Sequence, residues 1–179
     1  PSDGWHWDGQ TDAQGITWGG CLESIDEILR HGRELPSLSD FEHTVLFFET
    51  SEESPSAPYV SRVLRALGER GILSRVQAVL VGRPKAWSFE CPRTDEEKAD
   101  YKLKQREVVV STIRRYNQTA PIVQNMDFGH TAPSLCLTAT RWRTPSGWAA
   151  TVLGATSTAA SFTARAFLCW WARARPSWP

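Results

Sequence analysis

The sequence predicts an α/β fold with a mostly parallel sheet and covering helices. Short apolar runs rich in branched residues alternate with longer amphipathic segments, turn or capping residues separate them, and no linker interrupts residues 1–137. Strands that alternate with helices form parallel sheets, because the helix returns the chain to the starting end of the sheet. With 179 residues, of which 41% are hydrophobic, the chain is long enough for one domain with a sizeable core and a tail.

The first predicted elements are two strands that flank a helix. Residues 15–18, GITW, read as a short strand that leads into a Gly19–Gly20 turn. In residues 21–31 the apolar side chains recur at helical spacing, acidic residues come early and basic residues late, and Gly32 can end the helix. Residues 44–48, TVLFF, have the length and branching of a buried strand.

The alternation continues to the end of the predicted domain. Pro58 can open a second helix, and residues 76–82, VQAVLVG, form the next strand. Thr94–Glu97 has the spacing of a capping box and opens a long helix. Residues 121–126 are the last strand, and the chain then turns through Asp-Phe-Gly-His. These elements predict one compact domain over residues 1–137.

Residues 138–179 form a tail of different composition. All 20 acidic residues of the chain lie at or before Asp127, whereas the tail is basic and rich in Trp, Ala and Thr. Its apolar residues keep no sustained period of two or 3.6. We therefore expect a second region over 138–179 that lacks packed order or is translated out of frame.

Bulk properties exclude several functional classes. The formal net charge is zero, so no overall field attracts nucleic acid or a membrane surface, and no apolar run is long enough for a membrane span. The N-terminus has no secretory signal, and the four cysteines form no CxxC pair. These features predict a cytoplasmic protein with reduced thiols, no cofactor and no metal. Because the chain begins at Pro1, we expect a fragment or a processed product.

Two predicted strands end on ionisable residues that suit acid–base chemistry. Glu49 follows the TVLFF strand, and His130 follows the strand over 121–126. A histidine can exchange a proton near neutral pH, and a carboxylate can orient it, so Glu49 and His130 are a candidate base and orienter. The simpler alternative is a solvated acidic loop and a turn histidine. The chain has no G-x-S-x-G motif, and Ser51 and Ser54 read as turn residues, so no nucleophile is evident.

Four segments resemble the C-terminal domain of the LD-carboxypeptidase family of serine peptidases, in the branch that contains the microcin C immunity protein. The resemblance lies in WGGCLESIDEIL, VLFFETSEESPSAPYVSRVLRALGERGIL, VQAVLVGRP and PIVQNMDFGHTAP, which are residues 18–29, 45–73, 76–84 and 121–133. It implies the C-terminal domain of a two-domain α/β serine peptidase. In such proteins an N-terminal domain carries the serine, and the C-terminal domain supplies the glutamate and histidine of a Ser-His-Glu triad.

The resemblance assigns roles to individual residues. Glu49 and His130 would be catalytic, and Gly19–Gly20 and Glu53 would bind substrate. The simpler alternatives are a plain tight turn at Gly19–Gly20 and a solvated loop residue at Glu53. The substrate would be the L,D-peptide bond of a murein tetrapeptide or the amide bond of a peptidyl-nucleotide. The partners would be a separate domain that carries the serine and, because similar proteins are often dimers, a second copy of the chain.

Two departures from the family pattern keep other readings open. The serine-bearing domain is absent, so we expect this chain alone to be inactive. The sequence beyond Leu137 cannot be aligned to the family, and Ala132 stands where relatives often have an acidic residue. The alternatives are an inactive product of a truncated gene and an unrelated α/β module that binds a small molecule.

Overall fold

The computed structural model describes residues 4–9, 12–33 and 35–130, together with the backbone of two strands further along the chain. The chain divides into two units, residues 1–133 and residues 134–179, and each is described by itself. In the second unit, strand β6 (Ala139–Arg141) pairs antiparallel with strand β7 (Thr151–Leu153). The predicted lack of packed order over 138–179 otherwise falls outside the described residues and stays a prediction.

The described residues of the first unit form a five-stranded sheet and four helices. The strands are β1 (His6–Asp8), β2 (Ile16–Cys21), β3 (Thr44–Glu49), β4 (Ala78–Gly82) and β5 (Ile122–Met126). The helices are α1 (Leu22–His31), α2 (Leu38–Phe41), α3 (Ala57–Glu69) and α4 (Asp95–Ile113). The strand order is β1-β5-β4-β3-β2, and only the β1–β5 pairing is antiparallel. The predicted mostly parallel α/β fold is confirmed.

The core lies between one face of the sheet and helices α1, α3 and α4. Alternate residues of the central strands, such as Leu46 and Phe48 on β3, join this core because successive side chains of a strand point to opposite faces. They pack with the apolar faces of the helices, including Ile25, Leu64 and Ile113. The 3.6-residue period seen in the sequence is the stripe that α1 and α3 bury.

The predicted helix ends are confirmed at two places. Gly32 adopts a left-handed conformation at the end of α1, and its N–H donates to Ile28 O over 2.9 Å. Thr94 and Glu97 form both bonds of the capping box at the start of α4: Glu97 N donates to Thr94 Oγ1 over 3.2 Å, and Thr94 N donates to Glu97 Oε2 over 2.8 Å. Both motifs depend on neighbours along the chain, which is why sequence alone identifies them.

The predicted Gly19–Gly20 turn is wrong, because both residues continue strand β2. Gly19 pairs with Phe47 and Gly20 with Phe48 of β3, at φ angles of 147° and 149°. A Cβ on Gly19 would lie 1.7 Å from Phe47 O, whereas one on Gly20 would meet nothing within 4 Å. Glycine here allows a strand of unusual backbone conformation to approach β3 closely.

Strand β1 and helix α2 were not predicted. Within the described residues β1 is an edge strand, and the Asp8 carboxylate accepts a hydrogen bond from Arg114 Nε over 2.7 Å. Arg114 Nη1 also donates to Ala120 O over 2.8 Å, so one arginine joins β1 to the segment that leads into β5. Strand β1 has only three residues and depends on contacts with residues far along the chain, so no local sequence pattern predicts it.

None of the helices over the described residues combines the length and apolar character that a bilayer span requires.

Candidate active site

Glu49 is the last residue of β3 and lies at the carboxyl end of the parallel strands. Glu49 is only 7% exposed, although it ends a run of apolar strand residues. Parallel strands place their carboxyl ends, and the loops that follow, at one edge of the sheet. A buried carboxylate at this edge requires a hydrogen-bonding partner, because desolvation of an unpaired charge is unfavourable.

His130 is that partner. Its Nδ1 lies 2.9 Å from Glu49 Oε2, and its backbone N–H donates to the same oxygen over 3.4 Å. Since an ionised carboxylate only accepts, the Nδ1–H donates, and the proton sits on the nitrogen next to the ring's attachment point. The structure therefore brings together Glu49 and His130, which the sequence predicted to approach each other. This is the geometry of an orienting carboxylate and its histidine.

Two glycines form a narrow slot for the Glu49 side chain. A Cβ on Gly82, at the end of β4, would lie 2.7 Å from Glu49 Cβ and 2.8 Å from Phe128 O. A Cβ on Gly129, whose φ is 93°, would lie 2.6 Å from Glu49 Oε2. No larger residue fits at either position without moving the carboxylate. No local pattern in the sequence indicates this slot.

An arginine and an aspartate hold the turn that carries His130. The Arg83 guanidinium forms an ion pair with Asp127, and its Nε donates to Asn125 Oδ1 over 3.3 Å. Arg83 N donates to Met126 O over 2.8 Å. Asn125 has a positive φ of 64°, which an asparagine tolerates better than most residues. The end of β5 is thus fastened to the end of β4 directly before the histidine.

The other ring nitrogen of His130 faces a second carboxylate. His130 Nε2 lies 3.1 Å from Glu52 Oε2, in the loop after β3. The pKa of His130 is raised, chiefly by the hydrogen bond to Glu49 and further by the charges of Glu49, Glu52 and Glu23, while partial burial opposes this. The described site favours the charged imidazolium.

Glu23 on α1 organises the loop after β3, and sequence reasoning missed it. Glu23 Oε1 accepts hydrogen bonds from Ser51 N over 3.2 Å and from Ser51 Oγ over 2.8 Å. Cys21 Sγ donates to Glu23 Oε2 over 3.1 Å. Burial and this hydrogen bond raise the pKa of Cys21 to about 11, so its thiol stays protonated at neutral pH. Cys21 is therefore not an activated nucleophile.

The predicted substrate-binding residues lie in two different parts of the first unit. Gly19–Gly20 belong to strand β2, and Cys21, the next residue, pairs with Glu49. Glu53 lines an open cleft of about 580 Å³ between α1 and α3, where its neighbours include Asp26 and Tyr59. Glu52, rather than Glu53, contacts His130. The substrate-binding roles of Gly19, Gly20 and Glu53 stay predictions.

Within residues 4–9, 12–33 and 35–130, no group of three or more His, Cys, Asp or Glu side chains is arranged to hold a metal ion.

Comparison with known proteins decides the family. The family profile of the LD-carboxypeptidase C-terminal domain matches residues 14–142, which is most of the chain. The chain belongs to this family. The predicted resemblance is confirmed, and the reading as an unrelated α/β module is excluded. No curated protein matches the chain significantly.

Solved structures of MccF-like proteins resemble this LD-carboxypeptidase C-terminal domain. An MccF-like protein from Streptococcus pneumoniae in complex with AMP is 29% identical, with a TM-score of 0.57, over 73% of this chain and 37% of that chain. An MccF-like protein from Bacillus anthracis is 19% identical, with a TM-score of 0.53, over 86% and 44% of the two chains, and shows the same fold. The chain thus spans less than half the length of these relatives.

The role of the glycine slot can be tested in this LD-carboxypeptidase C-terminal domain without a serine-bearing domain. Gly82→Ala is expected to push Glu49 away from His130, because the new methyl group would overlap both Glu49 Cβ and Phe128 O. The pKa of His130, measured by NMR titration, should fall towards that of the Glu49→Gln variant. Overpacking of this kind should also cost about 1–3 kcal/mol of folding free energy.

Gly32→Ala is the matched control for the slot. It has a positive φ of 67° but nothing within 4 Å of an added Cβ, and it lies at the end of α1. We expect a loss of stability from backbone strain with no change in the pKa of His130. A Gly82→Ala variant that keeps the wild-type pKa of His130 would show that the slot does not position Glu49.

Proposed function

We propose that His130 and Glu49 are the general base and orienting carboxylate of a serine-type peptidase whose nucleophile lies on another domain. The observation that carries the proposal is the 2.9 Å contact between His130 Nδ1 and Glu49 Oε2 at the carboxyl end of the sheet. Membership in an LD-carboxypeptidase family supports peptidase-type hydrolysis. The predicted Ser-His-Glu triad is consistent with both.

In the proposed reaction the serine hydroxyl attacks the carbonyl carbon of an amide while its proton passes to His130 Nε2. The proton then moves to the nitrogen of the leaving group, the C–N bond breaks and an acyl-enzyme remains. Water, deprotonated by His130, hydrolyses that ester and restores the serine. Throughout, Glu49 holds the Nδ1–H and stabilises the imidazolium.

Two substrate classes follow from the family and its branches. One is the L,D-peptide bond of a murein tetrapeptide, and the other is an amide that joins a peptidyl group to a nucleotide-like moiety. The AMP complex of the pneumococcal MccF-like relative supports the second class. Its chain extends well beyond the region matched here, which leaves room in that protein for a domain that carries the nucleophile.

The test compares the 179-residue chain alone with the same chain fused to the part of the pneumococcal relative that lies outside the matched region, where we propose that the serine lies. We expect the isolated chain to hydrolyse neither a murein tetrapeptide nor a peptidyl-adenylate analogue, because a base without its nucleophile cannot form an acyl-enzyme. The fusion is expected to release the leaving group from one of the two substrates. A folded fusion that cleaves neither substrate would favour the alternative of an inactive gene product. Activity of the isolated chain that requires one of its own serines would also contradict the proposal.

A further inference from the structure

Both ring nitrogens of His130 are paired with carboxylates. Nδ1 lies 2.9 Å from Glu49 Oε2, and Nε2 lies 3.1 Å from Glu52 Oε2. The Nδ1 contact is a hydrogen bond, whereas the Nε2 contact is an ion pair that exists only when the ring is protonated, so the two carboxylates together favour the imidazolium. An imidazolium has no lone pair with which to accept a proton.

The two carboxylates are held very differently. The Glu49 side chain is 9% exposed and fills the slot between Gly82 and Gly129, whereas the Glu52 side chain is 53% exposed. Exposed ion pairs contribute little to stability, so the Glu52 contact can be replaced at small cost. Glu49 is a permanent partner of His130, and Glu52 is an exchangeable one.

The backbone on both sides of Glu52 is anchored, so only its side chain has to move. Ser51 N and Oγ donate to Glu23, which fixes the loop to α1. On the other side, Ser54 Oγ donates to Lys85 O over 2.8 Å, which fixes the loop to the segment after β4. Glu52 therefore projects from a braced loop, and a change of rotamer suffices to release Nε2.

We propose that the Glu52 carboxylate occupies the position beside His130 Nε2 that the nucleophile takes in the active enzyme. It keeps the base protonated until a serine hydroxyl displaces it. The proposal rests on the proposed function, in which Nε2 is the atom that receives the serine proton. Formation of the active site then includes one exchange: the Glu52 carboxylate leaves Nε2, the imidazolium releases that proton to solvent, and the serine O–H donates to the vacated nitrogen.

The charges around His130 agree with this exchange. Glu49 from β3, Glu52 from the loop and Glu23 from α1 all favour the imidazolium, and their charges raise the pKa of His130. Arg83, which holds the turn before His130, is itself paired with Asp127. Removal of the Glu52 charge should therefore lower the pKa of His130 and increase the neutral fraction at pH 7.

The experiment uses the full 179-residue chain, without any nucleophile. The pKa of His130 is measured by NMR titration in the wild type, in Glu52→Gln and Glu52→Ala, and in Glu53→Gln as the matched control. Carbethoxylation of His130 by diethyl pyrocarbonate at pH 7, which requires a neutral and accessible imidazole, is followed by mass spectrometry. We expect both Glu52 variants to lower the pKa and to speed the modification about twofold to fivefold, the range set by an exposed ion pair.

Glu53→Gln should change the pKa of His130 and its modification rate less than the Glu52 variants do, because Glu53 faces the cleft between α1 and α3. Wild-type values in both Glu52 variants, or an equal effect of Glu53→Gln, would overturn the proposal. Neither readout needs turnover, so an inactive fusion protein would refute the proposed function while the Glu52 contact could still be measured.

Discussion

In the fusion protein, His130→Ala is expected to lower kcat/KM by a factor on the order of 10⁴ or more, because the serine loses its general base. Glu49→Gln should have an effect of similar order. An amide can still accept the Nδ1–H, but it cannot stabilise the imidazolium, and it also allows the wrong tautomer. The measurement is kcat/KM on whichever of the two substrates the fusion protein cleaves.

His43→Ala is the matched control for this prediction. His43 is exposed and precedes β3, so it lies at the opposite end of the strand from Glu49. We expect wild-type kcat/KM for this variant. Unfolding curves that match the wild type would show that the His130 variant is folded. If His130→Ala then keeps more than about a tenth of the activity, the assignment of the general base is wrong, since a general base contributes at least about 10²-fold.

The pH profile of the fusion protein provides a second test of the base. Only the neutral imidazole accepts a proton, so kcat/KM should rise with pH through the pKa of His130, which Glu49 and Glu52 raise above the usual value of 6.5. Glu52→Gln should move this limb to lower pH. A profile that is flat across the pKa measured for His130 by NMR would argue against a titrating histidine base.

The largest expected effect on stability comes from Gly19→Ala. The new Cβ would lie 1.7 Å from Phe47 O, a backbone atom that no rotamer change can move, so β2 has to separate from β3. Strain at the positive φ of 147° adds about 1–3 kcal/mol, and the overlap adds a further loss of about 1–3 kcal/mol or more. The free energy of unfolding in urea measures the sum.

Gly20→Ala separates the two contributions. Gly20 has nearly the same φ, 149°, but nothing lies within 4 Å of an added Cβ. We expect this variant to lose only the part that comes from backbone strain, about 1–3 kcal/mol. Equal losses for Gly19→Ala and Gly20→Ala would mean that close approach to β3 is not the reason for glycine at position 19.

Local patterns in the sequence predicted most of the framework. The stripe of apolar residues on α1, the capping box of Thr94 and Glu97, and the branched runs of β3 to β5 are all confirmed. The proximity of Glu49 and His130 was predictable for the same reason, since both follow strands of one parallel sheet. These features depend on neighbours in sequence or on a general rule of sheet topology.

Only the tertiary structure shows the conformation of Gly19–Gly20 and the position of Glu52 beside His130. Gly19–Gly20 looked like a turn because glycine signals a turn locally, yet pairing with β3 makes it strand. The role of Glu53 in substrate binding, which the family resemblance implied, stays a prediction. The structure adds that Glu52 lies beside His130, in a loop where Ser51 is anchored to Glu23 and Ser54 has a positive φ. The glycine slot around Glu49 likewise exists only where three strand ends meet. Such contacts join residues far apart in the chain, and their geometry is set by packing that no local period of the sequence encodes.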